Sequence, residues 1–274
     1  MSSLLDVENL SVQYPAKGFR RKGIEVLHGI SLTIGAGETL GLVGESGSGK
    51  TTLGRAVLGL VPASGGSISF NGQQTQDLAA RERRKLAQDI QVVFQDPYTS
   101  LNPAMLVTDI LTEPLLAHGR SRQDATAAVG ALLDRVGLPK DAGSRYAREF
   151  SGGQRQRIAI ARALAIGPKL IVCDEAVSAL DLVTQARVLD LLIEIQRETQ
   201  VAYLFISHDL TVVRHISHRV AVMYQGNIVE TDTARTVTSN PSNAYTKKLL
   251  LAAPVADPDE QVRRRRARIA LLAS

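Results

Sequence analysis

Residues 44–51 contain the residue types that bind phosphate groups. They read Gly-Glu-Ser-Gly-Ser-Gly-Lys-Thr, which fits the pattern G-x-x-x-x-G-K-[ST]. Glycines let consecutive backbone N–H groups surround phosphate oxygens, and the dipole of a following helix adds positive charge. Lys50 would neutralise charge on the β- and γ-phosphates, and Thr51 could bind Mg²⁺. The segment therefore predicts a nucleotide site, and its expected contact residues are Gly44, Glu45, Ser46, Gly47, Ser48, Gly49, Lys50, Thr51 and Thr52.

Two adjacent carboxylates follow an apolar run at residues 170–173. That run predicts a buried strand, which would deliver Asp174 and Glu175 at its carboxyl end. Asp174 could hold Mg²⁺ through water, and Glu175 could polarise an attacking water. Acidic residues commonly end strands, so the pair is a weak signal by itself. Together with a phosphate loop it indicates nucleotide hydrolysis.

A second anion-binding pattern lies at residues 150–154, which read Phe-Ser-Gly-Gly-Gln. Ser151, Gly152 and Gly153 would open a helix that runs through Arg162. A helix start offers N–H groups, a hydroxyl and a positive dipole end to an anion. The alternative is an ordinary serine N-cap. Because one nucleotide cannot easily contact two separated cradles of one chain, we expect this nest to serve a nucleotide bound by another subunit.

Short β-rich runs alternate with helical patterns around these motifs, which is typical of a mostly parallel sheet covered by helices. A strand at 39–43 and a helix at 51–60 flank the phosphate loop, and residues 15–23 read as a polar loop. The other expected strands are 4–12, 30–34, 65–72, 91–94, 170–173 and 202–206, with a hairpin of 220–223 and 227–230.

Residues 97–166 contain almost no strand pattern. Apolar residues at 125, 128, 129, 132, 133 and 136 fall on one face of a helix. This stretch therefore predicts a helical insertion between strands. A crossover helix is expected around residues 188–195, between the last two buried strands.

Composition excludes several classes of protein. The chain has 274 residues, of which 44% are hydrophobic and 22% charged, as expected of a soluble globular protein. No apolar run approaches the ~18 residues of a membrane span, and Asp6 and Glu8 argue against a secretory signal. The single cysteine, Cys173, can form neither an intramolecular disulfide nor a multi-cysteine metal site. The net charge of +5 is interpreted as a mildly basic surface, and no nucleic-acid partner is expected.

The phosphate loop, the Phe-Ser-Gly-Gly-Gln segment and the Asp-Glu strand end, in this order and spacing, resemble the nucleotide-binding domain of ATP-binding cassette (ABC) proteins. The resemblance covers roughly residues 4–250. It implies an α/β fold of the P-loop NTPase type, with an N-terminal antiparallel β part. The implied domain is 1–253, with a helical subdomain at about 96–166, and a basic tail follows at 254–274. ATP and Mg²⁺ are the implied cofactors.

Single residues extend this resemblance. Tyr14 is similar to the aromatic residue that stacks on adenine, although a lone surface tyrosine is the alternative. Gln95 resembles the glutamine that contacts Mg²⁺ and faces a transmembrane partner. Asp181 lies in a segment similar to the loop that crosses to the partner ATPase, and His208 resembles the histidine that contacts the γ-phosphate. The roles implied are catalytic for Glu175 and His208, metal-binding for Thr51, Gln95 and Asp174, and nucleotide-binding for Tyr14, Ser151, Gly152, Gly153, Gln154 and Asp181.

The branch of the family is indicated by two further segments. Residues 96–103, Asp-Pro-Tyr-Thr-Ser-Leu-Asn-Pro, resemble the oligopeptide, dipeptide and nickel importers. Residues 240–250 partly match the tail motif of the peptide members, with Asn243-Ala244 in place of the usual His-Pro. Ala176, where most relatives have proline, is similar instead to the second ATPase subunit of nickel importers. The lone cysteine excludes the iron–sulfur version of these subunits.

The resemblance implies the ATP-hydrolysing subunit of an importer of dipeptides or oligopeptides, and a nickel or metal-chelate importer is the alternative. The implied partners are a second ABC ATPase subunit, in a heterodimer or a homodimer, two transmembrane permease subunits and an extracytoplasmic substrate-binding protein. The implied location is the cytoplasmic face of the inner membrane. Residues 96–103 and the tail motif disfavour an exporter. A single phosphate loop without a heptad run disfavours a soluble cassette ATPase that acts on DNA or ribosomes.

Overall fold

A computed structural model describes residues 3–15, 23–76 and 78–252, together with residues 259, 261–263 and 265. Most of the polar loop expected at 15–23 and of the basic tail expected at 254–274 lies outside the described residues. Within the described part of the chain, no helix has both the length and the apolar character that crossing a bilayer requires.

The strands and helices follow one another in a mixed order. The strands are β1 (Leu5–Tyr14), β2 (Ile24–Ile34), β3 (Thr39–Val43), β4 (Gly65–Phe70), β5 (Gln73–Gln74), β6 (Ile90–Val93), β7 (Leu170–Asp174), β8 (Ala202–Ser207), β9 (Arg219–Tyr224) and β10 (Asn227–Thr233). The helices are α1 (Lys50–Val57), α2 (Ala80–Asp89), α3 (Pro97–Ser100), α4 (Val107–Ala117), α5 (Arg122–Arg135), α6 (Gly152–Leu164), α7 (Leu182–Thr199), α8 (Leu210–Ile216), α9 (Ala234–Ser239) and α10 (Ala244–Ala252). Two short 3-10 helices lie at Lys140–Ser144 and Ala147–Glu149.

The central sheet has the strand order β10-β9-β3-β8-β7-β6, and every neighbouring pair except β10–β9 is parallel. Side chains alternate between its two faces, as the period of a strand requires. In β7, Leu170 and Val172 join one apolar core, whereas Ile171 and Cys173 join the other. The prediction of a mostly parallel sheet with strands buried on both faces is therefore confirmed.

A separate antiparallel sheet, in the order β2-β1-β4-β5, covers one face of the central sheet. Its apolar residues pack in one core with Leu53, Ala56 and Val57 of α1. This sheet confirms the predicted antiparallel part near the N-terminus. It also presents β1 and β2 to the beginning of α1, which directly follows the phosphate loop.

Helices α3 to α6 lie between β6 and β7, and apolar residues of α4, α5 and α6 join the core on the opposite face of the sheet. Within α5, Ala125, Val129, Leu132 and Leu133 are buried, as the apolar spacing predicts. An isolated bridge pairs Leu106 with Tyr146. The order and packing of these elements follow the sequence pattern, whereas the limits of a separate helical subdomain stay a prediction.

Several element ends differ from the sequence predictions for local reasons. The helix expected to reach residue 60 ends at Val57, because Gly59 leaves the helix with φ +68°. The first strand continues past residue 12 and includes Tyr14. Helix α2 was not predicted, since its side chains are almost all exposed and show no apolar stripe. The predicted hairpin is present, and both turn residues, Gln225 and Gly226, have the positive φ of a tight hairpin turn.

Candidate functional site

The carboxyl ends of β3, β8, β7 and β6 lie side by side along one edge of the central sheet, because these strands are parallel and paired in register. Crevices at the carboxyl ends of parallel strands are the usual ligand sites of such sheets. The segments that leave this edge carry the phosphate loop, His208, Glu175 and Gln95, respectively. The topology therefore brings most of the predicted site residues to one edge of the sheet.

The phosphate loop connects β3 to α1 and holds its lysine inside. Lys50 is only 5% exposed, and its Nζ donates hydrogen bonds to the carbonyl oxygens of Gly44 and Glu45, each at 2.8 Å. Burial lowers the pKa of Lys50, while the nearby carboxylates of Glu175 and Asp174 act in the opposite direction. Two of the three ammonium protons are thus bound to the loop, and the third can be donated to a phosphate oxygen.

Glycine is required at the beginning of this loop. A Cβ on Gly44 would lie 2.1 Å from the carbonyl oxygen of Met223 in β9, so the loop passes directly against that strand. Gly47 has φ +82°, a conformation that favours glycine, and a Cβ there would point into open space. The loop, together with Val26, Thr52 and Glu175, lines a cleft of about 360 Å³.

Buried polar atoms around the loop fit a phosphate and a divalent cation. The hydroxyl of Ser48 is buried and has no hydrogen-bond partner among the described residues, as expected of a group that a ligand would satisfy. Thr51 Oγ1 donates to Asp174 Oδ1 at 3.1 Å, which joins the loop to the end of β7. Both side chains offer oxygen atoms as ligands, the type that Mg²⁺ prefers. Burial raises the pKa of Asp174, and the bond from Thr51 opposes that shift.

Glu175 and His208 form a pair beside the cleft. His208 Nδ1 lies 3.4 Å from Glu175 Oε2, and the backbone N–H of Glu175 donates to Ile206 at 3.0 Å. Glu175 has φ +51°, an uncommon backbone conformation for a residue other than glycine. Such strain is found at functional sites more often than elsewhere. The carboxylate of Glu175 is thus held at the cleft by its backbone and faces an imidazole.

Two more of the predicted residues, Tyr14 and Gln95, are not among the residues that line this cleft. The hydroxyl of Tyr14, at the end of β1, lies 3.5 Å from Thr52 Oγ1, which puts an aromatic ring next to the start of α1. Gln95 is exposed two residues after the end of β6, and no hydrogen bond of its side chain is found within the described residues. The structure therefore places Tyr14 against the start of α1, and it places Gln95 after β6 on the same sheet edge without a contact to the cleft.

The second nest lies apart from the cleft. Ser151 is the N-cap of α6: its Oγ accepts from Gln154 N at 3.4 Å, and its own N–H donates to Gln154 Oε1 at 3.0 Å. Asp181 likewise caps α7, and bonds from Thr184 lower the pKa of this exposed carboxylate. Within the described part of the chain, neither residues 151–154 nor Asp181 line the cleft. One copy of the chain does not bring the two predicted cradles together.

Arginines of α6 connect the second nest to the segment that follows Gln95. Arg155 donates to the carbonyl oxygens of Arg148 and Phe150, at 2.8 and 2.9 Å, and its guanidinium lies 4.4 Å from the ring centroid of Tyr98. Arg162 donates to the carbonyl oxygen of Ser100 at 2.8 Å. The sequence marks residues 96–103 as a motif, but it does not predict these contacts with α6.

The C-terminal part of the fold also reaches the phosphate loop, which sequence reasoning missed. The N–H of Glu45 donates to the hydroxyl of Tyr245 at 3.1 Å, and the ring of Tyr245 lies 4.2 Å from that of Tyr224 between centroids. The N–H of Gly226 donates to the carbonyl oxygen of Ser48 at 3.0 Å. In the sequence, only the tail motif at 240–250 marks this region, and that motif indicates the family without predicting a contact with the loop.

A buried carboxylate holds the beginning of α10, the helix that carries Tyr245. Glu230 Oε1 accepts from the N–H and the hydroxyl of Ser242, at 2.7 and 2.8 Å, and Oε2 accepts from the N–H of Asn243 at 3.2 Å. Burial alone would raise the pKa of Glu230, but the donors around the carboxylate, among them those of Ser242 and Asn243, outweigh burial and lower it.

We expect Glu230→Gln to reduce the free energy of unfolding by about 1 kcal/mol at neutral pH, because a neutral amide oxygen accepts weaker hydrogen bonds than a carboxylate. The folded-state pKa lies below the unfolded one, so the charged carboxylate stabilises the fold above the unfolded pKa. This contribution is lost as the pH falls through the folded pKa. Thermal unfolding of both proteins from neutral to acidic pH should show the difference shrinking in acid. The matched change Glu198→Gln, on an exposed side chain, should have little effect, and a pH-independent difference at Glu230 would contradict this explanation.

The family model described as ABC transporter matches residues 27–178. The glutathione import ATP-binding protein GsiA of Escherichia coli strain K12 is 51% identical over 263 residues, which are 94% of this chain and 42% of that protein. The protein of the same name from Salmonella typhimurium strain LT2 is 51% identical over 267 residues, or 96% of this chain and 43% of that one. The chain therefore spans about two fifths of the length of these curated relatives.

Solved structures are similar over most of the chain. CbiO1 from Clostridium perfringens, described as part of the ABC transporter complex cbiONQ, has a TM-score of 0.78 and 26% identity, covering 100% of this chain and 99% of that one. A dimeric ATP-binding cassette in a post-hydrolysis state, bound to ADP and Pi, has a TM-score of 0.74 and 26% identity, covering 84% of this chain and 99% of that one. The α/β fold is therefore that of an ATP-binding cassette.

Proposed function

This chain belongs to the ABC transporter family, whose model matches more than half of it, and we propose that it binds and hydrolyses ATP to power an importer of small peptides. The observation that carries this proposal is the convergence of Lys50, Thr51, Asp174, Glu175 and His208 on one cleft edge. Their side chains are of the types that phosphoanhydride hydrolysis uses, and their place on one edge supports the proposed roles.

The chemistry proposed for the cleft uses the groups in it directly. Loop N–H groups and Lys50 bind and orient the β- and γ-phosphates. Magnesium, when bound, would neutralise charge on the phosphate oxygens, with Thr51 and Asp174 as the residues that hold it. Glu175 accepts a proton from the attacking water, and His208, 3.4 Å from that carboxylate, donates to the γ-phosphate and keeps Glu175 in place. Tyr14 would stack on the adenine, and Gln95 would be a further residue that holds the cation and orients the water.

We further propose that the second nest completes the cleft of a partner ATPase. Residues 151–154 and Asp181 stand apart from the cleft of their own chain, which supports a role in a neighbouring subunit. Two ATPase subunits, as a heterodimer or a homodimer, would then enclose two nucleotides head to tail. Each nucleotide would lie between one phosphate loop and the Ser151-Gly152-Gly153 nest of the other chain.

Coupling to the membrane is proposed for residues 96–166, as a helical subdomain within a domain of 1–253. The contacts of Arg155 and Arg162 with residues 98 and 100 support this proposal, because they join the second nest to the segment after Gln95. A movement imposed on that segment would therefore be transmitted to Ser151. The partners proposed there are two transmembrane permease subunits, at the cytoplasmic face of the inner membrane, and an extracytoplasmic binding protein would deliver the cargo.

The proposed cargo is a dipeptide or oligopeptide. Its support is the 51% identity to proteins named for glutathione import, glutathione being a short peptide. A nickel or metal-chelate importer is the alternative in the same family, and Ala176 is the residue that favours it.

Uptake measurements can test both the role and the cargo. Cells that lack this chain should lose uptake of labelled glutathione or dipeptides, and the wild-type chain, but not Glu175→Gln, should restore it. Affinity purification of the chain from detergent-solubilised membranes should recover permease subunits and a second ATPase. Loss of Ni²⁺ uptake alone would contradict the peptide cargo, whereas recovery only with ribosomes or DNA would contradict the importer.

A further inference from the structure

We propose that Tyr245, in the first turn of α10, is a positioning residue for Lys50 of the phosphate loop. The inference rests on the proposed function, since it assigns a role within the same ATP site. It extends that site to residues 243–252, which are far from the loop in sequence.

The two contacts that carry the proposal are made by one peptide unit. The carbonyl oxygen of Gly44 and the N–H of Glu45 belong to the same peptide group, which is trans. In a trans peptide the C=O and the N–H point in opposite directions. Lys50 Nζ donates to that carbonyl at 2.8 Å, and the N–H donates to the hydroxyl of Tyr245 at 3.1 Å. The peptide is therefore held from both sides, by the lysine and by the tyrosine.

Tyr245 is held in place by two contacts of its own and by the anchored turn before it. Its ring packs against that of Tyr224, with the ring planes tilted by 36° and the centroids 4.2 Å apart, and its N–H donates to Asn243 Oδ1 at 2.8 Å. The turn just before it is bound by the carboxylate of Glu230 through Ser242 and Asn243. A hydroxyl on such a support can orient a loop peptide more firmly than a side chain free to rotate.

The Tyr245 hydroxyl affects how much of the protein holds Lys50 in position to bind phosphate. Lys50 is held by the carbonyls of Gly44 and Glu45, so rotation of the 44–45 peptide would move one of its two anchors. Without the Tyr245 hydroxyl, part of the population would hold Lys50 away from the phosphate position. Apparent affinity falls by the fraction of protein that is competent to bind. Tyr245 therefore acts on phosphate binding through Lys50 and does not contact the nucleotide.

The test compares Tyr245→Phe with Tyr224→Phe in the purified chain, using a fluorescent ATP analogue. Tyr245→Phe removes one oxygen and keeps the ring stack, and we expect its Kd to rise about three- to tenfold, the range set by one lost hydrogen bond. Tyr224→Phe should leave the Kd unchanged, since within the described residues its hydroxyl makes no hydrogen bond. Hydrogen exchange of the Glu45 amide should quicken in Tyr245→Phe alone.

A double-mutant cycle separates positioning from a merely structural role. In the Lys50→Ala background, Tyr245→Phe should change the Kd by less than about 1.5-fold, because the residue it positions is absent. An equal loss of affinity in both backgrounds, or an unchanged Kd in Tyr245→Phe, would overturn this inference and leave the proposed function intact. A wild-type chain that binds no ATP analogue would overturn the proposed function and this inference together.

Discussion

Glu175→Gln should lower the rate of ATP hydrolysis by about 100- to 10,000-fold, the range expected on removal of a general base. The amide has almost the shape of the carboxylate but cannot accept the proton of the attacking water. Affinity for ATP should change little, since Glu175 borders the cleft without forming the phosphate loop. Steady-state hydrolysis and equilibrium nucleotide binding, measured on the same preparation, check both parts.

The matched control is Glu194→Gln, an exposed residue on α7. It makes the same chemical change away from the cleft and should hydrolyse ATP at the wild-type rate. If Glu175→Gln also retained wild-type turnover, another group would have to be the base. His208, 3.4 Å away, would then be the first residue to examine.

Lys50→Ala should weaken ATP binding by about 10- to 100-fold, since charge-assisted hydrogen bonds contribute about 1.5–3 kcal/mol each. The side chain is 5% exposed and lies among the loop carbonyls. Its loss would remove the cation and also leave two carbonyl oxygens without their donor. Both effects oppose phosphate binding, the first directly and the second through a looser loop.

Lys169→Ala is the matched control for this prediction. Lys169 carries the same charge but is half-exposed and pairs with Asp89 at 3.3 Å. Exposed ion pairs contribute little to stability, and this one is not part of the cleft. Titration with ATP should therefore give the wild-type Kd. A wild-type Kd in Lys50→Ala would exclude the Lys50 ammonium from phosphate binding.

The sequence predicts which edge of the sheet carries the candidate site, because the predicted site residues come directly after buried strands. Residues 39–43 and 170–173 are apolar enough to be recognised as strands, and parallel strands bring whatever follows them to a common edge. With the strand predicted at 202–206, they predict that Lys50, Asp174, Glu175 and His208 lie along one edge of the sheet. Their assigned roles stay predictions until the variants above are measured.

The contacts that the sequence could not predict depend on how distant elements pack. The bond between Glu45 and Tyr245 joins residues 200 positions apart, and no local pattern encodes it. The backbone of Glu175 is set by its bond to Ile206 on a neighbouring strand. Helix α2 is not predicted from the sequence for a different reason. Most of its side chains face solvent, so it lacks the apolar periodicity that indicates most helices.

The large separation in sequence between the phosphate loop and Tyr245 also has a consequence during protein synthesis. A ribosome adds about 5–20 residues per second, so the 200 residues between Glu45 and Tyr245 take about 10–40 seconds to emerge. Until then the loop lacks the hydroxyl that holds it, and until β9 and β10 are made it lacks Gly226 as well. A nascent chain that lacks only α10 would therefore bind ATP about three- to tenfold more weakly than the finished chain, the loss expected for one missing hydrogen bond. Docking of α10 would then raise the affinity for ATP to that of the finished chain.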